Sequence, residues 1–517
     1  MPEIYRAFLC VLIVSLPALW IARKALRPTV GDKEIGVWIR AWLFTTAAVF
    51  LSGGLLVFSL LIAALAIYVH RASEAPYRLF AVLLLTAPAL GANVAIPGLI
   101  ASLIELTPGR LLALAFLVPT AIRLRRSPQP KPALALADKL MVALALLLVV
   151  LSARYGSPTY LLRAVAVIAL DIALPYYVFS RAVGSLPEVR ATLSAFVFAA
   201  LPFAAAGALE FVRGWRLYSS VASDWNLILV QAYLFRDGML RAAITAIEPI
   251  AFGFVCMVAL GFLFALRSKM PGKLASWGAF GLAALGLAVS LSRGPWLGAV
   301  AMAVIFAALM RPNPAQIVKA ASLIALLAVP LMFTPVGERV FRLLPFVGSV
   351  DNANEDYRSQ LIDISITIVS RNPLFGDAFY RQAPELTQMV QGQGIVDIVN
   401  TYVALALEYG LVGLALFLAV FFSIGVGLVR AGRRATGPDA ALFCALAATL
   451  AAIGLTIATV SSVSVIPYIY WVVAGVGVAA LRFQDARQEA APEVTAAPAF
   501  AVLGRVPLFE PPSVRRA

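Results

Sequence analysis

The 517-residue chain is 62% hydrophobic and 13% charged, with a mean hydropathy of +0.92. Soluble domains hold roughly 45–50% apolar and about 25% charged residues, so the composition excludes a soluble fold and indicates an integral membrane protein. The formal charge of +15 raises nucleic acid as a partner, but the basic residues concentrate in a few short loops, which argues against it.

A spanning helix needs about 20 mostly apolar residues. Apolar stretches recur at 4–22, 35–51, 54–69, 78–95, 99–121, 138–152, 159–179, 191–212, 243–266, 274–291, 295–310, 316–333, 399–429, 438–460 and 465–481. The weakest are the pair flanking Ser52-Gly53-Gly54 and the segment interrupted by Glu105 and Pro108. No dyad alternation suggests a β-barrel. The expected fold is therefore all-α, a polytopic bundle of about 12–15 transmembrane helices with one larger external loop. "ARKALR" follows the first apolar run where a cleavage site would need small residues, so that run reads as a retained helix. Cys10, Cys256 and Cys444 lie in apolar helices without metal-ligand spacing, and no disulfide framework or metal site is implied. The single histidine, His70, sits at a helix end beside Arg71 and reads as interfacial.

Lysine fixes the expected orientation. Lys24, Lys33, Lys131, Lys139, Lys269, Lys273 and Lys319 all fall in loops that the helix count places on one face, with "RLRR" at 123–126 and "RAGRR" at 430–434. The positive-inside rule makes that face cytoplasmic, which leaves the N-terminus periplasmic and the C-terminus cytoplasmic. The expected organisation is a helical bundle at 1–333 with a short external segment at 213–242, a periplasmic loop at 334–398, further transmembrane helices at 399–481, and a disordered tail at 482–517, rich in Ala and Pro.

The external segments contain arginine but no lysine: Arg213, Arg216, Arg236, Arg241, Arg293, Arg339, Arg342, Arg358, Arg371 and Arg381. Arginine's planar fork of donors grips phosphate bidentately and never loses its charge, so an external cluster suits a lipid-linked pyrophosphate. Loop ion pairs with Asp224, Asp237, Glu338, Asp351, Glu355, Asp356 and Asp363 are the alternative. Arg293 stands apart, because "SLSRGPW" breaks an apolar stretch almost without a loop. Backbone freed at a Gly-Pro break is tolerated at membrane depth only where it is buried in protein or lines a wet cavity, and an ionisable residue there points to function. Beyond it, residues 357–371 have helical spacing with Leu361, Ile364, Ile368 and Val369 on one side, and "NPLFG" ends that helix. This predicts an amphipathic surface helix with Arg358 near its exposed edge. A membrane helix then opens at Asn400 and carries Glu408 two turns deeper, where a carboxylate requires partners.

Four stretches together resemble the O-antigen ligase and O-antigen polymerase superfamily of bacterial inner-membrane glycosyltransferases: "RAAITAIEPIAFGF" (241–254), "SLSRGPWLGA" (290–299), "YRSQLIDISITIVSRNPLFGDAF" (357–379) and "NTYVALALEYGLVGLALF" (400–417). The resemblance implies a glycan donor on undecaprenyl pyrophosphate, transferred to an acceptor hydroxyl without nucleotide sugar, metal or other cofactor. It assigns pyrophosphate contacts to Arg241 and Arg293 and, less directly, to Arg358; Tyr357, Asn400, Arg213, Arg216 and Arg236 are the further candidate substrate-binding residues. Ligases of this family carry a histidine just before the asparagine that opens the post-loop helix; this chain has Val399 there. Valine cannot activate a hydroxyl, which favours a polymerase joining lipid-linked repeat units, with Asp397, Asp363 or Asp377 as substitute base. The expected partners are the lipid-linked oligosaccharide as donor and acceptor, membrane lipids and a chain-length regulator. A ligase acting on lipid A core and a non-enzymatic flippase are the alternatives; the flippase would require internal repeats or a polar through-path, and neither is evident.

Overall fold

A computed structural model describes residues 1–96, 100–128, 133–227, 234–236, 238–310, 352–389 and 396–489. Among them, eleven helices are long and apolar enough to cross a membrane. These are α1 (Glu3–Val30), α2 (Asp32–Leu51), α3 (Leu55–Ala72), α4 (Leu136–Tyr155), α5 (Pro158–Arg181), α6 (Leu186–Arg213), α7 (Pro249–Lys269), α9 (Arg293–Met310), α11 (Thr401–Arg434), α12 (Gly437–Ile457) and α13 (Ile466–Glu489, apolar to Gln484). A shorter apolar helix, α8 (Lys273–Val289), joins α7 to α9, and α10 (Asn352–Arg371) is the helix of the external loop. The protein is an all-α polytopic membrane protein, as its composition predicts.

Helices α6, α7, α12 and α13 form the centre, with Phe198, Phe252, Phe254, Phe443 and Trp471 fully buried among them. These helices are apolar on every side, the mark of a helix surrounded by protein or lipid. The peripheral helices α3, α8 and α9 instead expose Leu56, Leu60, Ile67, Trp277, Val300 and Val304, apolar surface that water would not tolerate in this quantity and lipid would. Ser52, Gly53 and Gly54 make a tight reversal between α2 and α3, so both members of this doubtful pair are helices.

Two expected spans take another form. The run 78–95 supplies only a short helix, Arg78–Leu84, and then the first strand of an antiparallel hairpin, Ala92–Ile96 with Ile100–Leu106. Pro88 and Gly91 break the run, and its backbone groups find partners across the hairpin and in the Ala89 N–H to Thr245 O bond of 2.7 Å. The expected span at 99–121 begins late, at Pro108 with Thr107 as its cap, and continues through a π-helical turn to Arg126. The expected span at 316–333 and the 333/334 boundary lie outside the described residues, as does the tail beyond Glu489; α13 itself runs past Leu481.

The two ends of the bundle differ. At the lysine-bearing end, buried Asp138 receives Arg181 at 3.2 Å, Arg482 at 2.5 Å and the Tyr176 hydroxyl at 2.9 Å, and Arg190 pairs with Asp439. These pairs tie α4, α5 and α13, and α6 and α12, at one level. At the opposite end, Trp215 donates to Glu3 at the start of α1 over 2.8 Å.

Candidate functional site

At that opposite end α6 delivers Glu210 into the protein interior. Its carboxylate is buried and accepts three backbone N–H bonds, from Leu217 (3.0 Å), Ala243 (2.9 Å) and Ile244 (3.0 Å). A single acidic side chain thus supports both ends of the external segment between α6 and α7. Arg216 lies close enough to bear on its charge. From this support Arg241, itself buried, reaches across to the break between α8 and α9. Its Nε donates to Ser290 O at 3.3 Å and its Nη2 to Ser292 Oγ at 2.8 Å. Ala242 N–H bonds Val289 O at 3.1 Å beside it.

A small hairpin, Phe235–Arg236 with Met239–Leu240, brings a second arginine to the same turn: Arg236 Nη1 donates to Leu291 O at 2.6 Å. The next residue after Ser292 is Arg293, half-buried at the start of α9. Arg236 and Arg241 thus bring their guanidinium groups to the turn whose last residue is Arg293. Arg213, by contrast, is exposed at the end of α6.

The backbone is strained around this junction. Among the described residues five non-glycines have positive φ, and four of them are here: Ile244 (+36°), Ile247 (+67°), Leu291 (+46°) and Ser464 (+57°). A β-branched residue in this region is a genuine outlier, and such residues persist at roughly 1–3 kcal/mol each only where surrounding structure enforces them. Here Glu210 enforces Ile244, Arg236 holds the Leu291 carbonyl, and Ser464 Oγ bonds Ala246 O at 2.7 Å. Pre-organised strain of this kind gathers at functional sites.

The turn between α12 and α13, residues 458–465, completes the site. Gly294 packs so closely on Thr459 that any side chain would collide with its hydroxyl. Two residues on, Ser461 Oγ donates to Asp397 Oδ1 at 2.8 Å and to Ile398 O at 2.9 Å, and Thr401 Oγ1 donates to Val460 O at 2.8 Å. Asp397, exposed, is thus linked through residues 459–461 to Gly294, the neighbour of Arg293. The Tyr357 hydroxyl donates to Asp397 O at 3.1 Å; burial first, then the Asp397 charge, raises this phenol above its usual pKa and keeps it a donor. Asn400 caps α11, its side-chain oxygen accepting from Tyr402 N at 2.9 Å and Val403 N at 3.2 Å. Val399 beside it offers no titratable group.

Other expected residues lie elsewhere. Arg358 is exposed on α10, whose Leu361, Ser365 and Ile368 are buried, with Leu361 and Ile368 facing Ile398 and Leu407. Asp363 is exposed on α10, and Asp377 uses its carboxylate on Phe379 N at 2.8 Å. Arg371 pairs with Glu385 rather than with any of the acids expected for it. His70 bonds Ala66 O at 2.9 Å, away from this junction. Arg339, Arg342 and Asp237 lie outside the described residues. Among the described residues no three His, Cys, Asp or Glu side chains gather as a metal site requires.

Sequence reasoning missed Glu210, the 459–464 hydroxyls and Arg154. The last belongs to a kink in α11 at Gly410, where φ is +70° and a Cβ would strike the Leu374 carbonyl. The "NPLFG" loop docks into this break: Leu411 N bonds Pro373 O (2.8 Å), Val412 N bonds Leu374 O (3.2 Å), and Asp377 N bonds Leu407 O (2.8 Å). Arg154, at the end of α4, closes it by donating to Phe375 O, Gly376 O and Glu408 O at 2.7–2.9 Å. The one signal in the sequence was an arginine at the outer end of a helix, in a segment without lysine.

The arrangement as a whole is a set of planar cationic donors on rigid, strained backbone beside a carboxylate and several hydroxyls, chemistry suited to phosphate oxygens on one side and a hydroxyl on the other. The O-antigen ligase family model matches residues 278–418, from α8 through α9 and α10 into α11. Arg293, Tyr357, Arg358, Asp397 and Asn400 lie within that stretch, while Arg236 and Arg241 precede it. No curated protein matches the chain at a significant level. Over residues 278–418 the chain is thus similar to the O-antigen ligase family.

Proposed function

We propose that the protein is a glycan polymerase that joins undecaprenyl-pyrophosphate-linked oligosaccharide repeat units at the periplasmic face of the inner membrane, in O-antigen or exopolysaccharide synthesis. The observation that carries this reading is that Arg236 and Arg241 bring their guanidinium groups to the strained turn that ends at Arg293. In the reaction the bond between the anomeric carbon and the pyrophosphate oxygen breaks, an acceptor hydroxyl oxygen forms the new glycosidic bond, and the pyrophosphate leaves with the extra negative charge. Guanidinium groups already in position stabilise that charge as it develops. Asp397, oriented by Ser461, takes the acceptor proton; Tyr357 lies beside it on the Asp397 carbonyl, and Asn400 at the start of α11 and Arg358, exposed on α10, are the further proposed contacts to the substrate. The lysine-bearing end faces the cytoplasm by the positive-inside rule, which puts the arginines outside. The expected chain-length regulator remains part of this proposal as a partner.

Val399 in place of the family's ligase histidine favours polymerisation over ligation to lipid A core. Deletion of the gene distinguishes the readings. A polymerase leaves single repeat units on the carrier or core, a ligase leaves long polymer unattached on the carrier, and a flippase leaves lipid-linked units in the cytoplasmic leaflet. Either of the last two results refutes the proposal.

A further inference from the structure

The Glu408 carboxylate has no part in the kink it borders. The broken ladder of α11 is closed by backbone bonds from the 373–377 loop and by Arg154, whose guanidinium takes the carbonyls of Leu151, Phe375, Gly376 and Glu408. Arg154 contacts the main chain of Glu408 yet leaves its carboxylate alone, and among the described residues no cation pairs with that carboxylate. Its partner is a phenol: Tyr155 donates to Oε1 at 3.3 Å. Tyr155 lies against Tyr160 with ring centroids 3.9 Å apart and planes tilted by 32°, and meets the exposed ring of Phe379 edge-on at 5.5 Å. The carboxylate and both tyrosines are half-buried, hence reachable.

A carboxylate without a counter-ion is retained in a partly dry place only where it meets donors. A weak phenol donor beside flat aromatic faces matches a ligand with many hydroxyls and apolar C–H faces. It does not match an anion, which the carboxylate would repel, or a lipid chain, which would strand it. Glu408 lies eight residues beyond Asn400, about 12 Å along the helix at 1.5 Å per residue. A short oligosaccharide spans that length of helix.

We propose that Glu408, Tyr155, Tyr160 and Phe379 form a subsite for an uncharged pyranose of the glycan, Glu408 accepting hydrogen bonds from neighbouring sugar hydroxyls and the tyrosine pair supporting a ring face. This rests on the glycan-transfer reading above, but it is tested apart from it. The full-length protein in lipid nanodiscs is titrated calorimetrically with two probes: the phosphate-free oligosaccharide released by mild acid from the host's own lipid-linked repeat unit, and undecaprenyl pyrophosphate without sugar. Glu408→Gln keeps shape and removes the charged acceptor; Tyr160→Leu removes the stacking face without touching the kink bonds. Each is expected to weaken the free oligosaccharide at least about tenfold, the loss of one charge-assisted hydrogen bond or its equivalent, with undecaprenyl pyrophosphate binding and melting temperature unchanged. Arg293→Lys is expected to do the reverse. Wild-type affinity for the free oligosaccharide in both Glu408→Gln and Tyr160→Leu overturns the subsite, as does a wild-type protein that binds undecaprenyl pyrophosphate but not the oligosaccharide. Failure to bind undecaprenyl pyrophosphate would instead remove the glycan-transfer reading.

Discussion

Glu210→Gln tests how the arginine turn is built. In the wild type, Oε1 accepts Ala243 and Ile244 N–H, and Oε2 accepts Leu217 N–H, all buried. A hydrogen bond to a charged group contributes about 1.5–3 kcal/mol, and a buried donor left without an acceptor loses about 1–3 kcal/mol. Glutamine can keep its oxygen on Ala243 and Ile244 but then turns an NH2 toward the Leu217 N–H, donor against donor. The expected local loss is about 2–4 kcal/mol, from one bond removed and two made neutral. At 1.4 kcal/mol per tenfold, hydrogen exchange at Ala243 and Ile244 should accelerate about 100-fold, with α7 and α12 unaffected. Because Arg241 is the second residue before Ala243, glycan assembly should fall with normal membrane insertion, and Glu210→Asp should restore little, its shorter arm missing the amides. Exchange at 241–247 unchanged in Glu210→Gln would refute the claim that this carboxylate supports the site.

Arg154→Lys retains charge but offers one nitrogen where the fork served Leu151, Phe375, Gly376 and Glu408 carbonyls. Losing two or three such bonds is worth about 3–6 kcal/mol locally, so limited proteolysis should cut at 372–377 in the variant and not in the wild type. Asp397→Asn should lower turnover at least about 100-fold, as expected for a lost general base, whereas Asp377→Asn, whose carboxylate is occupied by Phe379 N, and the exposed Asp363→Asn should be near wild type in a polymer-length assay. The Arg371 side-chain bond holds the Glu385 carboxyl below its usual pKa. Its contribution is thus present above the ordinary glutamate pKa and lost as pH falls through the depressed value. Both groups are solvated, so Glu385→Gln should leave melting at neutral pH unchanged.

The helices were legible in the sequence because membrane spans are a composition signal: about 20 apolar residues announce themselves without tertiary information. The 78–106 region misled because its apolar run is as greasy as a span, while Pro88 and Gly91 direct it into a hairpin that other segments complete. The break at Arg293 was legible for a related reason, since a charge between two apolar segments marks where the helix is interrupted. Glu210 was not. It reads as the last polar residue of a helix, and its meaning lies in amides at positions 217, 243 and 244, which only folding brings to it. Asn400 reads in the sequence as a substrate contact, and only the fold shows that its side-chain oxygen also caps α11. Glu408 was noticed as an anomaly, but its isolation from Arg154 depends on a loop contact that no local pattern encodes.

If guanidinium groups gathered at residues 290–293 hold a diphosphate, the protein distinguishes it from a monophosphate. The most direct measurement is the affinity of the nanodisc-embedded protein for undecaprenyl pyrophosphate and for undecaprenyl monophosphate, in the wild type, Arg241→Lys and Arg293→Lys. The wild type is expected to prefer the pyrophosphate at least about tenfold, one further charge-assisted contact, with each lysine variant erasing that preference while folding normally. Equal affinity for the two lipids in the wild type, or a preference preserved in both variants, would contradict the diphosphate reading.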